Sequence, residues 1–263
     1  MQNFLCVGFA TVDTINGRRF PGGAAGGMSI NSKKLGINSS LLAPLSSDEL
    51  GLWYRKILED RNVSLSLCEF DSPSIPTCLI TDVHAAGSTR VWKDNGAVQY
   101  LETMKVPDSK VLEQFDAILF CTAIPPLSTS VSLQTPKRNL FVIPGTYCLS
   151  HPESINPSIL EKTEIIFGNE EEASPIFASK PFQYGVQLIV ITAGKDGGIV
   201  YSASGKETPF LAATSEAIDT TGAGDCFALG FISSWTKSHS IGKSIEAGTT
   251  LASQVIQVEG VLL

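Results

Sequence analysis

Residues 218–235 read IDTTGAGDCFALGFISSW, a glycine-rich turn that runs into a helix. Gly222 and Gly224 let the backbone take positive φ and approach a ligand without a Cβ in the way. The helix that follows, starting near Asp225, points its unpaired N–H groups back into the turn. Aligned peptide dipoles place roughly half a positive charge there, so the backbone of Gly222, Ala223 and Gly224 with the helix start forms an anion site. Asp225 stands inside it. A carboxylate beside backbone donors stays ionised and can take a hydroxyl proton as that oxygen attacks a γ-phosphate. It can equally cap the helix, since Asp is a favoured N-cap. Spacing alone leaves both readings open. The pattern GxxxxGK[ST] is absent, so the turn is not a P-loop.

Composition narrows the classes around this turn. A chain of 263 residues is long enough to bury a sizeable core in one large domain. Its 43% hydrophobic and 17% charged residues are globular values. The formal net charge of −7 gives no basic footprint for nucleic acid or an anionic membrane, so partners are small molecules. The six cysteines, Cys6, Cys68, Cys78, Cys121, Cys148 and Cys226, lack CxxC spacing, which argues against a zinc site or disulfide scaffold and suits reduced thiols. No run reaches the roughly 18 apolar residues of a membrane span, and the run at 4–10 is short for a signal segment. A soluble cytoplasmic protein is expected.

Upstream of the turn, apolar runs of strand length recur at 4–10, 41–45, 116–121, 140–143, 164–167 and 188–192. Helix-compatible or Pro/Gly-rich segments separate them, which predicts parallel strands in a doubly wound α/β sheet. Asp13 follows the first run. Ligands of such sheets bind at the carboxyl edge, so Asp13 is a site candidate, with a turn or cap role as the alternative. Residues 68–101 alternate polar and apolar with a turn at 84–88, the pattern of a small β lid. On it, Arg90 reads as a ligand contact or as a cross-strand ion partner. Helices are predicted at 47–61 and at 240–258, the second ended by Gly260.

The twelve residues DTTGAGDCFALG at 219–230 resemble the second signature of the PfkB/ribokinase family of sugar and nucleoside kinases, and PGGAAGGMSINSKKLG at 21–36 resembles the first. The resemblance implies a ribokinase-like fold over a single domain, 1–263: a doubly wound, mostly parallel sheet, flanking helices and a small β lid from about 68–101 plus the short 13–21 segment. It implies an ATP-dependent carbohydrate kinase in which Asp225 is the base and the backbone of Gly222, Ala223 and Gly224 is the anion hole. Asp13 then contacts substrate hydroxyls, Gly22 and Gly23 admit a sugar close to backbone, and Arg90 reaches the acceptor or phosphate. Ala24 and Gly27 stand where relatives often carry a substrate-binding Asn; Asn31, one turn further on, either substitutes or lies on the surface. TINGRRFP replaces the pair of lid strands that many members insert, so a reduced lid is expected. VIPGTY lacks the Asp that relatives often place at the end of that strand.

On the nucleotide side, NEEE at 169–172 resembles the family's NxxE motif. Asn169 is implied near the phosphates and Glu172 near Mg²⁺ through water; an acidic helix start is the other reading. TAGKDG at 192–197 resembles the nucleotide loop, with Thr192, Gly194, Lys195 and Gly197 around ATP. Thr249 and Ser253 fall on the helix that relatives use beside adenine, with helix-surface hydroxyls as the alternative. Asp219 matches an Asp used for a monovalent cation in relatives that continue further past Gly260, so an incomplete cation site is the alternative. The short lid, TGAGDCFALGFISSW and the end soon after Gly260 resemble the fructoselysine 6-kinase branch most. A nucleoside kinase and a non-catalytic nucleotide or sugar sensor are the rival readings, and either a monomer or a homodimer fits.

Overall fold

The computed structural model describes residues 1–84, 87–101, 103–122, 124–213 and 216–263, with backbone alone at 82–84 and 87–89. Strands are numbered along the chain: β1 (Asn3–Gly8), β2 (Thr11–Ile15), β3 (Arg18–Gly22), β4 (Asn38–Leu42), β5 (Pro44–Ser46), β6 (Glu69–Ser72), β7 (Thr77–His84), β8 (Gly87–Lys93), β9 (Ala117–Cys121), β10 (Leu140–Ile143), β11 (Thr163–Asn169), β12 (Leu188–Thr192), β13 (Gly198–Ser202) and β14 (Glu207–Phe210).

The main sheet runs β14-β13-β12-β11-β10-β9-β1-β4. From β4 to β12 every pairing is parallel, and β13 and β14 add an antiparallel edge. Parallel strands covered on both faces read as continuous apolar runs because alternate side chains serve two cores. Phe4 and Cys6 of β1 enter one core, with Phe227 and Phe231 of the helix Ala223–Ser238. Leu5 and Val7 enter the other, with Leu112, Val131 and Ile159. The expected α/β architecture holds.

Strand order reverses beside β1: the chain goes from β1 to β4 on one side and later returns to β9 on the other. A crevice opens outside the carboxyl ends at such a switch point. Gly8, at φ 147°, packs on the Cys121 carbonyl there, where a Cβ would collide.

A second sheet of order β3-β2-β7-β8 differs from expectation in two ways. Asp13 lies within β2, a separate strand, and not at the end of the first. The 13–21 segment is not a remnant: β2 and β3 form a hairpin around Asn16 (φ 49°) and Gly17 (φ 75°), so the reduced lid is corrected to a four-stranded sheet. Asn-Gly between alternating segments is a strong signal for such a turn, and the sequence reading passed over it. The lid length that partly motivated the fructoselysine 6-kinase resemblance falls away with it.

Other departures are local. Residues 97–101 form a helix, Ala97–Leu101, because Asp94 accepts hydrogen bonds from the N–H groups of Gly96 and Val98 and so caps its start. β6 leaves the hairpin pattern to pair with β5. The turn read at 84–88 includes residues 85 and 86, which lie outside the described residues. β13 and β14 extend the main sheet past the last predicted apolar run, at 188–192. Among the described residues no helix is long and apolar enough to cross a membrane.

Candidate active site

A cavity of about 730 Å³ lies between the carboxyl ends of the main sheet and the four-stranded sheet. Asp13, Gly23, Asn31, Arg90, Asn169, Glu172, Thr192 and the 222–225 turn all line it. A second cavity, of about 510 Å³, opens at the amino ends beside Met1, Glu164 and His239, and no residue singled out for chemistry lines it.

The turn at 222–225 enters the helix Ala223–Ser238 with Gly222 as N-cap, at φ 77°. Asp225 is therefore the third helical residue and the helix has no side-chain cap, which removes the capping alternative. The Ala223 N–H is already accepted by the Thr220 carbonyl, at 3.2 Å. A Cβ on Gly224 would meet nothing within 4 Å, so the turn faces open space at that residue. Burial pushes the Asp225 carboxyl up to about 6, with the Arg90 guanidinium opposing the shift.

Asp13 is 6% exposed and accepts a hydrogen bond from the Thr11 hydroxyl at 2.7 Å. Burial raises it to about 6; Thr11 and Arg90 oppose the rise, and the charges of Asp219 and Asp225 add to it. Arg90 extends from β8 opposite Ile80 of β7, and its charge bears on both Asp13 and Asp225. Beneath the Gly22 and Gly23 pair, the fully buried Tyr54 donates to the Gly22 carbonyl at 2.6 Å. Burial, then the Asp13 charge, holds the Tyr54 phenol well above its ordinary value.

Asn31 is not a surface residue: it lines the cavity and is bonded to the returning C-terminal segment. It is 1% exposed; its Nδ2 donates to the Val261 carbonyl at 2.6 Å and to Cys226 Sγ, and its Oδ1 accepts from the Leu263 N–H at 3.1 Å.

Asn169 ends β11, beside Thr192 of β12. Its N–H and Nδ2 donate to the two carboxylate oxygens of Glu172, and its Oδ1 accepts from the Glu172 N–H at 3.0 Å. Burial raises the Glu172 carboxyl; the Asn169 N–H opposes this, and Asp225 and Glu171 add to it. Among the described residues no group of three or more His, Cys, Asp or Glu is placed to cage a metal. One carboxylate facing the cavity fits a Mg²⁺ ion ligated mainly by phosphate oxygens and water. Asp219 ties the turn to the returning chain: Oδ1 accepts from Thr221 N–H and Oδ2 from Gly260 N–H, at 2.8 and 2.9 Å.

Gly194 and Gly197 have positive φ in the turn from β12 to β13, and with Lys195 they stand outside the cavity wall. Thr249 and Ser253 also stand outside it. Their hydroxyls donate to carbonyls of their own helix, Ile245 and Glu246 for Thr249 and Thr250 for Ser253.

Two aromatic features of the wall escaped the sequence reading. Trp92 packs against Phe9 with ring centroids 5.7 Å apart, and Tyr147 stacks on His151 at 4.1 Å. Trp92 was recoverable, because it stands two residues from Arg90 and so on the same face of β8.

Residues 10–263 match the pfkB family of carbohydrate kinases. An ATP-dependent 6-phosphofructokinase of Thermoanaerobacterium thermosaccharolyticum is 26% identical over 94% of this chain and 82% of its own. A nucleoside kinase of Methanocaldococcus jannaschii is 25% identical over 99% of this chain and 92% of its own. The crystal structure of Methanocaldococcus jannaschii nucleoside kinase, an archaeal member of the ribokinase family, superimposes with a TM-score of 0.85 at 22% identity, covering 99% of this chain and 93% of that one, and establishes the shared fold. The family match spans nearly the whole chain, and its kinase relatives are covered over most of their length. This chain belongs to the pfkB family of carbohydrate kinases.

Proposed function

We propose that this kinase transfers the γ-phosphate of ATP to a hydroxyl of a sugar or sugar-like polyol, with Asp225 as general base. One observation carries the reading: Asp225 stands in the first turn of the helix Ala223–Ser238 and opens onto the same cavity as Asp13, with the Arg90 charge bearing on both. A carboxyl near 6 is ionised at neutral pH yet still basic enough to take a proton in the transition state.

Asp13 accepts hydrogen bonds from the acceptor's hydroxyls and, with Gly23 behind it, orients the reacting oxygen toward Asp225. As that oxygen bonds to the γ-phosphorus and the bond to ADP breaks, its proton passes to the Asp225 carboxylate. Backbone N–H groups of the 222–225 turn and the Arg90 guanidinium hold the negative oxygens in flight. Asn169 orients Glu172 toward the phosphates, where Mg²⁺ supplies charge neutralisation when bound. Thr192, Gly194, Lys195 and Gly197 are assigned to the nucleotide, and Thr249 and Ser253 to the adenine side, on the resemblance of TAGKDG and of the 240–258 helix to the family's nucleotide segments.

A nucleoside acceptor is the second reading, favoured by the 45% exposed Trp92 beside Phe9, an apolar wall suited to a planar group. The test is ADP release with ATP and Mg²⁺ across sugars, polyols, glycated amino acids and nucleosides, with Asp225→Asn as the blank. Turnover above the blank on one class supports the reading and names the acceptor. Turnover equal in the wild type and the blank removes Asp225 as base, and absence of turnover on every class, with ATP bound, favours a sensor.

A further inference from the structure

We infer that Val261 is a positioning residue for the 222–225 turn, held in place by Asn31. The inference rests on the phosphoryl-holding role proposed above for that turn. After the helix Ile241–Val255, the chain returns to the cavity, and its path is fixed at each step. The Ile256 carbonyl accepts from the N–H groups of Ile218 and Asp219, at 2.7 and 3.2 Å, where the chain approaches the turn. Asp219 then takes the Gly260 N–H, and the Phe20 ring packs where a Cβ on Gly260 would stand.

Val261 is 7% exposed, lines the cavity, and rests its isopropyl group on Gly222. A Cβ built on Gly222 would lie 2.8 Å from Val261 Cγ1. Gly222 is the residue whose left-handed backbone admits the chain to the helix, so Val261 backs the point on which the direction of the first-turn N–H groups depends. Asn31 clamps this backing. Its side-chain amide bonds on both sides of Leu262, to the Val261 carbonyl and the Leu263 N–H, much as a neighbouring strand would. The remaining donor of the same amide reaches Cys226 Sγ, next to Asp225. One buried side chain thus ties the returning segment to the helix that carries the base. A misplacement of about an ångström at a transferring group can cost on the order of a hundredfold in rate, so loss of the backing is read in kcat.

The experiment uses the full chain with Val261→Ala, Asn31→Ala and the conservative Val261→Ile. Amide hydrogen exchange at residues 222–226, compared with β9 to β11, is measured beside steady-state kinetics. The expected result is exchange faster by about tenfold at 222–226 in the first two variants with the sheet unchanged. It is joined by a fall in kcat of about tenfold, with KM for ATP and acceptor within about twofold of wild type, and by near wild-type behaviour in Val261→Ile. Should Asn31→Ala fail to fold, Val261→Ala carries the test alone. Unchanged exchange at 222–226, loosening spread equally over the sheet, or unaltered kcat overturns the inference. A wild type without Asp225-dependent turnover would remove the catalytic reading, and the exchange measurement would still decide whether Val261 holds the turn.

Discussion

The carboxylate of Asp13 fills the space in which a Cβ on Gly22 would stand, so β3 admits only glycine diagonally across from the acid. The same Gly22 gives its carbonyl to Tyr54, which fixes the strand from below. A Gly22→Ala substitution is expected to displace Asp13 and raise KM for the acceptor by about tenfold or more, leaving KM for ATP within about twofold. Steady-state kinetics with each substrate varied checks this. An unchanged acceptor KM would remove Asp13 from the acceptor site.

A pH dependence is expected from two carboxyls that both lie near 6 and that the proposed transfer uses ionised. Their charges interact, so the apparent values belong to the pair. kcat/KM for the acceptor is expected to rise with pH to a plateau above about 6, with a limiting slope approaching two on the acid side. In Asp13→Asn that slope falls to one, at a lower plateau. A slope of one in the wild type means that only one of the two carboxyls must be ionised.

Stability is expected to run against activity at the same residue. The folded-state value of Asp225, about 6, exceeds the ordinary 3.8, so the folded chain binds this proton more tightly than the unfolded one. The contribution is therefore fully present below 3.8 and is lost as pH rises through 6. Asp225→Asn is expected to gain about 1–2 kcal/mol at pH near 7.5, after discount for partial exposure, and nothing near pH 3.5. Urea denaturation at both pH values measures it; an equal gain at both would assign the effect to packing.

Gly26 faces the Tyr54 hydroxyl so closely that a Cβ there would collide with it. Gly26→Ala is expected to cost about 1–3 kcal/mol by overpacking. Tyr54→Phe costs a similar amount by leaving the buried Gly22 carbonyl without its donor. Because the second change also relieves the collision in the first, the double variant is expected to lose less than the sum in a denaturation cycle. Additive losses would show that the two residues do not share one constraint.

Glu172→Gln removes the charge and replaces one of the two oxygens that accept from Asn169 by an NH2 group, so one bond of the clasp is lost with it. The Mg²⁺ concentration giving half-maximal turnover is expected to rise by about tenfold, with a loss of about 1–3 kcal/mol of stability from the Asn169 donor left without an acceptor. Titration of ADP release with Mg²⁺ decides it, and an unaltered Mg²⁺ requirement would leave Glu172 as a clasp for the start of its helix.

What could be read from the sequence is what local rules govern. The glycines and Asp of 222–225 mark a helix start that can hold an anion, and the continuous apolar runs mark strands buried on both faces. Asp13 is legible as an acid after an apolar run in an α/β sheet, whereas Asn169 and Glu172 are legible only through the resemblance of NEEE to the family's NxxE motif. Where two local signals competed, reading failed: Asn16-Gly17 made a hairpin of a supposed gap, and the Asp94 cap turned the end of a presumed strand into a helix.

The sequence by itself determined the fold class and the chemistry available at the 222–225 turn, because both are set by periodicity and by backbone groups within a few residues. Only the tertiary structure decided that Asn31 bonds to Val261, 230 residues away. It alone placed Tyr54 under Gly22. Such contacts arise when separate elements dock, and a side chain's partner then depends on the packing of the whole core, which no spacing along the chain records.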